Sequence, residues 1–250
     1  MRIDSKFSKL SLTLLIGFVL WELGSLIANV RNFPHSWVVF GDLTKLIVTT
    51  TFWKSLFITL GLSGAGFIIG ALFACVIGIF VALKKTGDLA TSGVINFVRS
   101  IPSVVFLPLL IASIGSTART ALILTSFVIT FKLVTYVVRG IGETDPILIE
   151  SARVMGLRGF SKIIYLYLPS TTSIVGTGLR LSATQAFGTV VAAGIVAGTP
   201  GLGSALLLAE SSANYPRVFS YVFVMGVIGS LIYSLFNRTE NRLIHWRVSV

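Results

Sequence analysis

Several charged or polar residues lie inside long apolar stretches of the sequence and are the first candidates for chemistry. Lys132 and Arg180 are cations in such stretches, and Gln185 and Thr189 follow Arg180 at roughly helical spacing. Ionisable groups in such surroundings are costly, so they mark functional sites or structural partners. We expect Arg180, Gln185 and Thr189 to line any solute path on a shared face.

For each charged residue in this set, more than one role stays open. Lys132 can extend its long side chain to a polar surface, line a path, or pair with another helix. Arg180 can bind a structural partner or contact an anion. We interpret Glu22 as a contact between helices.

Residues for enzymatic chemistry are sparse. The single cysteine, Cys75, stands in an apolar run, and His35 and His245 lie outside the apolar stretches. The sequence contains neither H-E-x-x-H nor the phosphate-binding G-x-x-x-x-G-K-[ST]. These absences argue against a metal site, a thiol enzyme or an ATPase, and we interpret Cys75 as a small buried apolar residue. An intramembrane enzyme with a Ser–Lys pair at Lys132 remains an alternative.

The composition places most of the chain in lipid. Of the 250 residues, 54% are hydrophobic and 12% are charged, and the mean hydropathy is +0.91. Soluble domains carry about 25% charged residues, so this chain lacks the polar surface that water requires. We therefore predict an all-α, polytopic membrane protein that forms a single domain over residues 1–250, with the bilayer as its solvent.

Six segments are long and apolar enough to cross a bilayer, which takes about 20 residues. The predicted spans are Leu10–Val30, Phe57–Leu83, Val94–Ile114, Ala121–Arg139, Ser173–Val196 and Val218–Phe236. The first resembles a signal peptide, but its apolar run is longer than usual and Ala28 is a weak cleavage site. We expect an uncleaved first helix.

Charge asymmetry predicts that both termini are cytoplasmic. Lys and Arg favour cytoplasmic loops. Thirteen of the 20 Lys and Arg residues fall in the two tails and in the second and fourth loops, and five fall in the other loops. The net charge of +11 is thus an orientation signal, and we predict no nucleic-acid partner.

The fourth loop, residues 140–172, is cytoplasmic in this orientation and strongly patterned. Asp145-Pro146 is typical of a helix start, and Gly156 can end that helix in a left-handed conformation. A second helical piece, Phe160–Leu168, is predicted to close at Pro169. Such an exposed knob, apolar and charged, either contacts another protein or lies on the bilayer surface.

The spacing in this loop resembles the EAA loop of ABC-importer permeases. Glu150-Ser151-Ala152, three residues, Gly156, nine residues, then Leu166-Tyr167-Leu168-Pro169 reproduces that pattern with two mild replacements. Weaker motifs over residues 18–247 are similar to permeases for taurine, alkanesulfonates, nitrate, bicarbonate and pyrimidine precursors. They are Trp21-Glu22-Leu23, Arg99-Ser100-Ile101-Pro102, Gly178-Leu179-Arg180, the segment 197–203, and Asn237–Leu243 with Trp246-Arg247.

One departure weakens the transfer of a substrate. Ala192-Ala193-Gly194 stands where that branch often has an acidic residue. The resemblance implies a small anion such as a sulfonate, taurine, nitrate or bicarbonate, and a vitamin or pyrimidine precursor is the alternative.

The resemblance also implies a fold, partners and a location. It implies the type I importer permease fold in the bacterial inner membrane, with no catalytic activity, metal or cofactor on this chain. ATP and Mg²⁺ would bind a separate ATPase dimer. A solute-binding protein and a second permease copy, giving a homodimer, would complete the importer. The residues that would couple this chain to the ATPase are Glu150, Ser151, Ala152, Gly156, Leu168 and Pro169. A stand-alone carrier or channel is the remaining alternative.

Overall fold

The structure is a computed structural model that describes residues 3–28, 32–83 and 88–243. Side chains at positions 3–11, 14, 28, 88–92, 241 and 243 are not described. Several residues named or counted above lie outside the described residues: Arg2, Val30, Arg31, Lys84, Lys85, His245, Trp246 and Arg247.

The described residues form helices and connecting turns, without a strand among them, which confirms the all-α prediction. Eleven α-helices follow one another in the described part of the chain: α1 (Ile3–Ala28), α2 (Ser36–Ile47), α3 (Thr50–Leu83), α4 (Asp88–Ser100), α5 (Leu107–Ile114), α6 (Ala118–Gly142), α7 (Pro146–Val154), α8 (Gly159–Lys162), α9 (Leu168–Ala197), α10 (Leu202–Ser211) and α11 (Tyr215–Leu243). A 3₁₀ turn (Ser103–Phe106) precedes α5, and a π turn (Ile163–Tyr167) precedes α9.

Four helical stretches among the described residues are long and apolar enough to cross a membrane. They are α3, α6, the run Gly159–Ser211 that contains α9, and Tyr215–Glu240 of α11. They contain the second, fourth, fifth and sixth predicted spans. In α1 the described apolar part, Leu15–Ile27, is shorter than a span. The number of spans and the side of the termini therefore stay predictions.

The third predicted span, Val94–Ile114, is broken in the structure. The expectation of one continuous helix is wrong, whereas its crossing of the bilayer stays a prediction. Gly93–Ser100 and Ser103–Ile114 together satisfy the criteria for a span, but they meet at an angle of 83°. Pro102 lies at the bend, lacks an N–H group and disfavours helical geometry at the preceding residue, Ile101. Hydropathy measures the length of an apolar segment but does not show whether the helix within it is broken.

The centre of the fold is the mutual packing of α3, α6 and α9. Gly66 and Gly70 of α3 form a G-x-x-x-G step. Gly70 faces α6 so closely that an added Cβ would lie 2.7 Å from the Ser126 carbonyl oxygen. On α9, a Cβ at Gly178 would lie 2.5 Å from Cγ of Tyr136. In lipid, helices associate through such close approach, because apolar side chains gain little by leaving the acyl chains. The glycine step thus serves packing within the chain.

Short helices that the hydropathy pattern did not reveal, α2 and α10, join this centre to α11. Leu46 of α2 and Leu202 of α10 are buried in one apolar cluster with Phe187 of α9. Arg217 of α11 binds Asp42 of α2 through two hydrogen bonds of 2.7 and 2.9 Å. The charged contact fixes α2 against α11 at the end of the fold where α9 finishes.

Gly70→Ala tests the close packing of α3 and α6. The new Cβ would meet a backbone carbonyl that cannot rotate away, so we expect a loss of about 1–3 kcal/mol of stability. The measurement is the temperature at which half of the purified protein loses its monodisperse gel-filtration peak. Gly64→Ala is the matched control on the same helix, since a Cβ there has nothing within 4 Å. Equal melting of the two variants would contradict the packing argument.

Candidate functional site

The predicted start and end of the loop helix are confirmed at α7. Asp145 caps the helix, since its Oδ1 accepts a hydrogen bond of 2.8 Å from the N–H of Ile147. At the other end Gly156 has a φ of +73°. The N–H of Gly156 donates to Arg153 O, and the N–H of Leu157 donates to Ala152 O, which is a Schellman closure. Both ends of this helix are therefore set by its own residues.

One side of α7 is anchored to the membrane helices. Ala152 is 4% exposed and belongs to an apolar cluster with Ile141 of α6 and with Leu166 and Tyr167 of the π turn. Leu157 packs against the same cluster. Because α7 contacts both its preceding and its following helix, it is held as a rigid element.

The other side of α7 is an exposed apolar and charged surface. Val154 is 86% exposed and Met155 75%, and Ile147 is exposed as well. Glu150 pairs with Arg153 at 2.9 Å, with both side chains largely exposed. A shallow depression of about 540 Å³ lies among these side chains, lined by Pro146, Ile147, Glu150, Ser151, Val154 and Met155. We call these six residues the α7 surface. Contiguous exposed apolar side chains of this kind mark an interaction site.

The second half of the loop differs from its prediction. We expected a helix over Phe160–Leu168 that closes at Pro169. Instead the chain continues from α8 through the π turn directly into α9, with Pro169 as the second residue of α9. Within a regular α-helix a proline removes a backbone donor and its ring clashes with the carbonyl four residues earlier, so the irregular π turn just before Pro169 is where the continuous helix accommodates it. Leu168 and Pro169 are exposed and belong to the first turn of α9.

Arg180 faces α11 and has several partners there. Its Nη1 lies 3.0 Å from Oε2 of Glu240 and also donates to Oδ1 of Asn237. The guanidinium stands 5.2 Å from the ring centre of Tyr233. Glu240 is 8% exposed and accepts a further hydrogen bond from Thr177 at 3.1 Å. Of the two roles left open for Arg180, these contacts fit the structural one.

Gln185 faces the opposite way, into a cleft between α6, α9 and the broken third span. Its Oε1 accepts a hydrogen bond of 3.4 Å from Nζ of Lys132, which also donates to the carbonyl of Leu181 at 3.2 Å. The cleft has a volume of about 280 Å³, and Arg99 and Pro102 line it beside Lys132 and Gln185. Lys132 thus pairs with α9 rather than reaching a polar surface.

Thr189 lies one turn after Gln185 on the same side of α9, but it is buried. It is 3% exposed, and its hydroxyl donates to the Gln185 carbonyl at 2.8 Å. Nine residues separate Arg180 from Thr189, and nine residues are two and a half helical turns. The expected shared face is therefore wrong for Arg180, whereas Gln185 and Thr189 do lie on one side of α9. A solute-path role for Arg180, Gln185 and Thr189 stays a prediction.

Sequence reasoning missed the site role of Arg99 and the partners of Glu22. In the sequence, Arg99 counts as an orientation charge and as part of the Arg99-Ser100-Ile101-Pro102 motif, but neither use assigns it to a site. Pro102, three residues later, is the signal that Arg99 lies beside a break. Glu22 binds His35 at 2.7 Å and accepts hydrogen bonds from the N–H and hydroxyl of Ser36. Glu22 therefore joins α1 to the start of α2, which agrees with a helix contact.

Comparison with known proteins places this arrangement in a family. The model of the family described as "Binding-protein-dependent transport system inner membrane component" matches residues 70–245, more than half of the chain. The matched region includes the α7 surface and the cleft.

Individual relatives and a solved structure agree with that family. The putative aliphatic sulfonates transport permease of Bacillus subtilis is 26% identical over 92% of this chain and 83% of its own. The taurine transport system permease of Escherichia coli is 24% identical over 80% and 73%. A methionine ABC transporter solved in inward-facing conformations is 17% identical, with a TM-score of 0.68 over 77% of this chain and 95% of that one.

The structural likeness shows the fold of an ABC-importer permease, and the several apolar helices agree with it. The chain is a transport subunit rather than an enzyme, and a multi-pass protein of the bacterial plasma membrane. It belongs to the family of inner-membrane components of binding-protein-dependent transport systems, as the permease subunit of an ABC importer.

Proposed function

We propose that this permease moves a small anion across the membrane and is driven by a separate ATPase dimer that binds the α7 surface. The single observation that carries the proposal is the α7 helix itself. It is closed by its own caps, anchored on one side through Ala152, and apolar and exposed on the other. A rigid helix with one free apolar side is suited to transmit the motion of a bound partner.

The connections of α7 give the motion a route. Three residues, 143–145, join α7 to the end of α6, and α8 with the π turn joins it to α9. Since α6 and α9 pack closely together, a displacement of α7 acts on both core helices at once. By resemblance, Glu150, Ser151, Ala152, Gly156, Leu168 and Pro169 form this coupling element.

The same resemblance supplies the other parts of the proposal. A second copy of the chain would form a homodimer and enclose the solute path, and a binding protein would deliver the solute. ATP and Mg²⁺ would stay on the ATPase chains, so this chain needs no cofactor.

The relatives support an anion as the solute. Two of them are named as permeases for sulfonates and for taurine. The cleft at Gln185 presents the cations Lys132 and Arg99, which agrees with a negatively charged solute. A vitamin or pyrimidine precursor remains the second candidate from the branch resemblance.

Reversing the charge of Glu150 tests the partner of α7. Glu150→Lys would place a cation beside Arg153 on the α7 surface, and we expect loss of a co-purifying ATPase from a C-terminally tagged protein. Gly156→Val should act in the same way, because a φ of +73° disfavours a β-branched residue. Mass spectrometry of the gently solubilised complex gives the readout.

Glu143→Lys is the matched control for Glu150→Lys. Like Glu150, Glu143 is an exposed carboxylate in an ion pair with an arginine, Arg139, but it lies outside α7. The control should retain the ATPase. Retention of the ATPase by Glu150→Lys and Gly156→Val, with the protein folded, would contradict the coupling proposal.

The solute class is tested in proteoliposomes that contain the permease, its ATPase and its binding protein. We expect ATP-dependent uptake of labelled ethanesulfonate or taurine, because cations face the cleft. Uptake of a labelled pyrimidine with sulfonates excluded would contradict the anion and support the second candidate.

A further inference from the structure

The break in the third span places irregular backbone beside the cleft. Irregular backbone at membrane depth is tolerated only where protein buries it or where it lines a polar cavity. Here Ile101, Pro102 and Ser103 of the break line the cleft that also contains Lys132 and Gln185. In transporters, broken spans often mark the place where a solute binds.

Two cations share this cleft without a carboxylate partner among the described residues. Five ion pairs form among the described residues, and neither Lys132 nor Arg99 takes part in any of them. Lys132 and Arg99 both line this cleft of about 280 Å³, so their like charges repel each other. Such a pair of like charges is relieved when an anion binds between them.

The donors that an anion needs are also present. Lysine has three N–H groups, and those of Lys132 make two hydrogen bonds, to Leu181 O and to Gln185 Oε1. At least one direction around Nζ therefore remains for a ligand. The guanidinium of Arg99, which is exposed, adds a planar set of donors that suits an oxyanion.

The rest of the cleft is apolar and small. Aromatic and aliphatic side chains line it beside the cations: Val98, Ile101, Phe106, Phe127 and Phe131. Its volume of about 280 Å³ lies just below the range of small-molecule pockets, about 300–1,000 Å³. The walls would accommodate a short hydrocarbon tail, whereas nitrate or bicarbonate would leave them uncovered.

The position of the cleft along the helices favours a solute over a lipid headgroup. Lys132 is the fifteenth of the 25 residues of α6, so about 21 Å of helix precedes it and about 15 Å follows it. On a helix that crosses a core about 30 Å thick, this position lies inside the core, and a headgroup phosphate at the nearer interface would be roughly two helical turns from Lys132.

We propose that Arg99, Lys132 and Gln185 form an anion-binding subsite for a small organic oxyanion with an apolar tail, of the alkanesulfonate class. The oxyanion binds the two cations, Gln185 holds Lys132 in position, and the aromatic walls contact the tail. The inference rests on the proposed function, since it assigns the solute of the same transport path. It selects organic sulfonates over the inorganic anions of that branch.

The test is direct binding of ethanesulfonate to the purified full-length permease in nanodiscs, without ATPase or ATP. Saturation-transfer NMR of the methyl protons during a titration gives the Kd. We expect saturable binding that weakens at least tenfold in Lys132→Met and in Arg99→Met. Lys132→Arg keeps the charge and should stay within a few fold of the wild-type Kd.

Arg119→Met is the matched control, because it removes an exposed cation from the first turn of the same helix α6, away from the cleft. It should leave binding unchanged, and the neutral ethanesulfonamide should not bind. Absence of binding, equal loss in the control, or equal binding of the sulfonamide would overturn the subsite.

Two further arms separate the subsite from its alternatives. Nanodiscs with added phosphatidylglycerol should give the same Kd, and strong competition by this lipid would overturn the assignment to a small solute. Uptake in proteoliposomes reports separately on the proposed function. Intact binding without ATP-driven uptake would refute the transport proposal alone, and intact uptake with binding indifferent to Arg99 and Lys132 would refute the subsite alone.

Discussion

The close approach of α3, α6 and α9 is the constraint on which the other features depend. Lipid offers apolar side chains nearly the same environment as a protein core, so these helices are held by backbone contact at small residues. Gly70 lets α3 reach a carbonyl of α6, and Gly178 lets α9 receive the ring of Tyr136. The helix α6 is thereby fixed against both neighbours, and it carries Lys132 into the cleft at one level and α7 at its end.

Charged side chains between the helices also fix how α9 is rotated against its neighbours. Arg180 ties α9 to Glu240 of α11 on one side, and Lys132 ties α6 to α9 on the other. Removing one partner of a buried ion pair leaves an uncompensated charge, which costs about 3–5 kcal/mol. The rotation of α9 about its own axis is therefore defined, and that rotation decides that Arg180 faces α11 while Gln185 faces the cleft.

Local features of the structure could be predicted from the sequence, because their causes are local. Asp145-Pro146 and Gly156 set the ends of α7 through hydrogen bonds within a few residues, and the prediction of both ends is confirmed. Apolar length likewise located the helices that pack at the centre. In these cases the physical interaction and the sequence pattern span the same short distance.

Features that depend on distant residues escaped prediction. The partners of Arg180 on α11 lie more than 50 residues away, and no spacing rule connects them. Lys132 binds α9 rather than a polar surface because the carbonyl of Leu181, far away in the sequence, lies within reach of its Nζ. Arg99 lines the cleft because the chain bends at Pro102. Hydropathy averaged along the sequence does not detect such a bend, so this role of Arg99 was not predicted.

A photo-crosslinker at Val154 tests most directly whether α7 is the docking element for an ATPase. Val154 is 86% exposed on the α7 surface, and Leu208, 68% exposed on α10, is a control beyond the opposite end of α9. Irradiated membranes should yield a crosslink from position 154 to a protein with a phosphate-binding loop, and none from position 208. Absence of such a crosslink at 154, or equal crosslinking at both positions, would contradict the account.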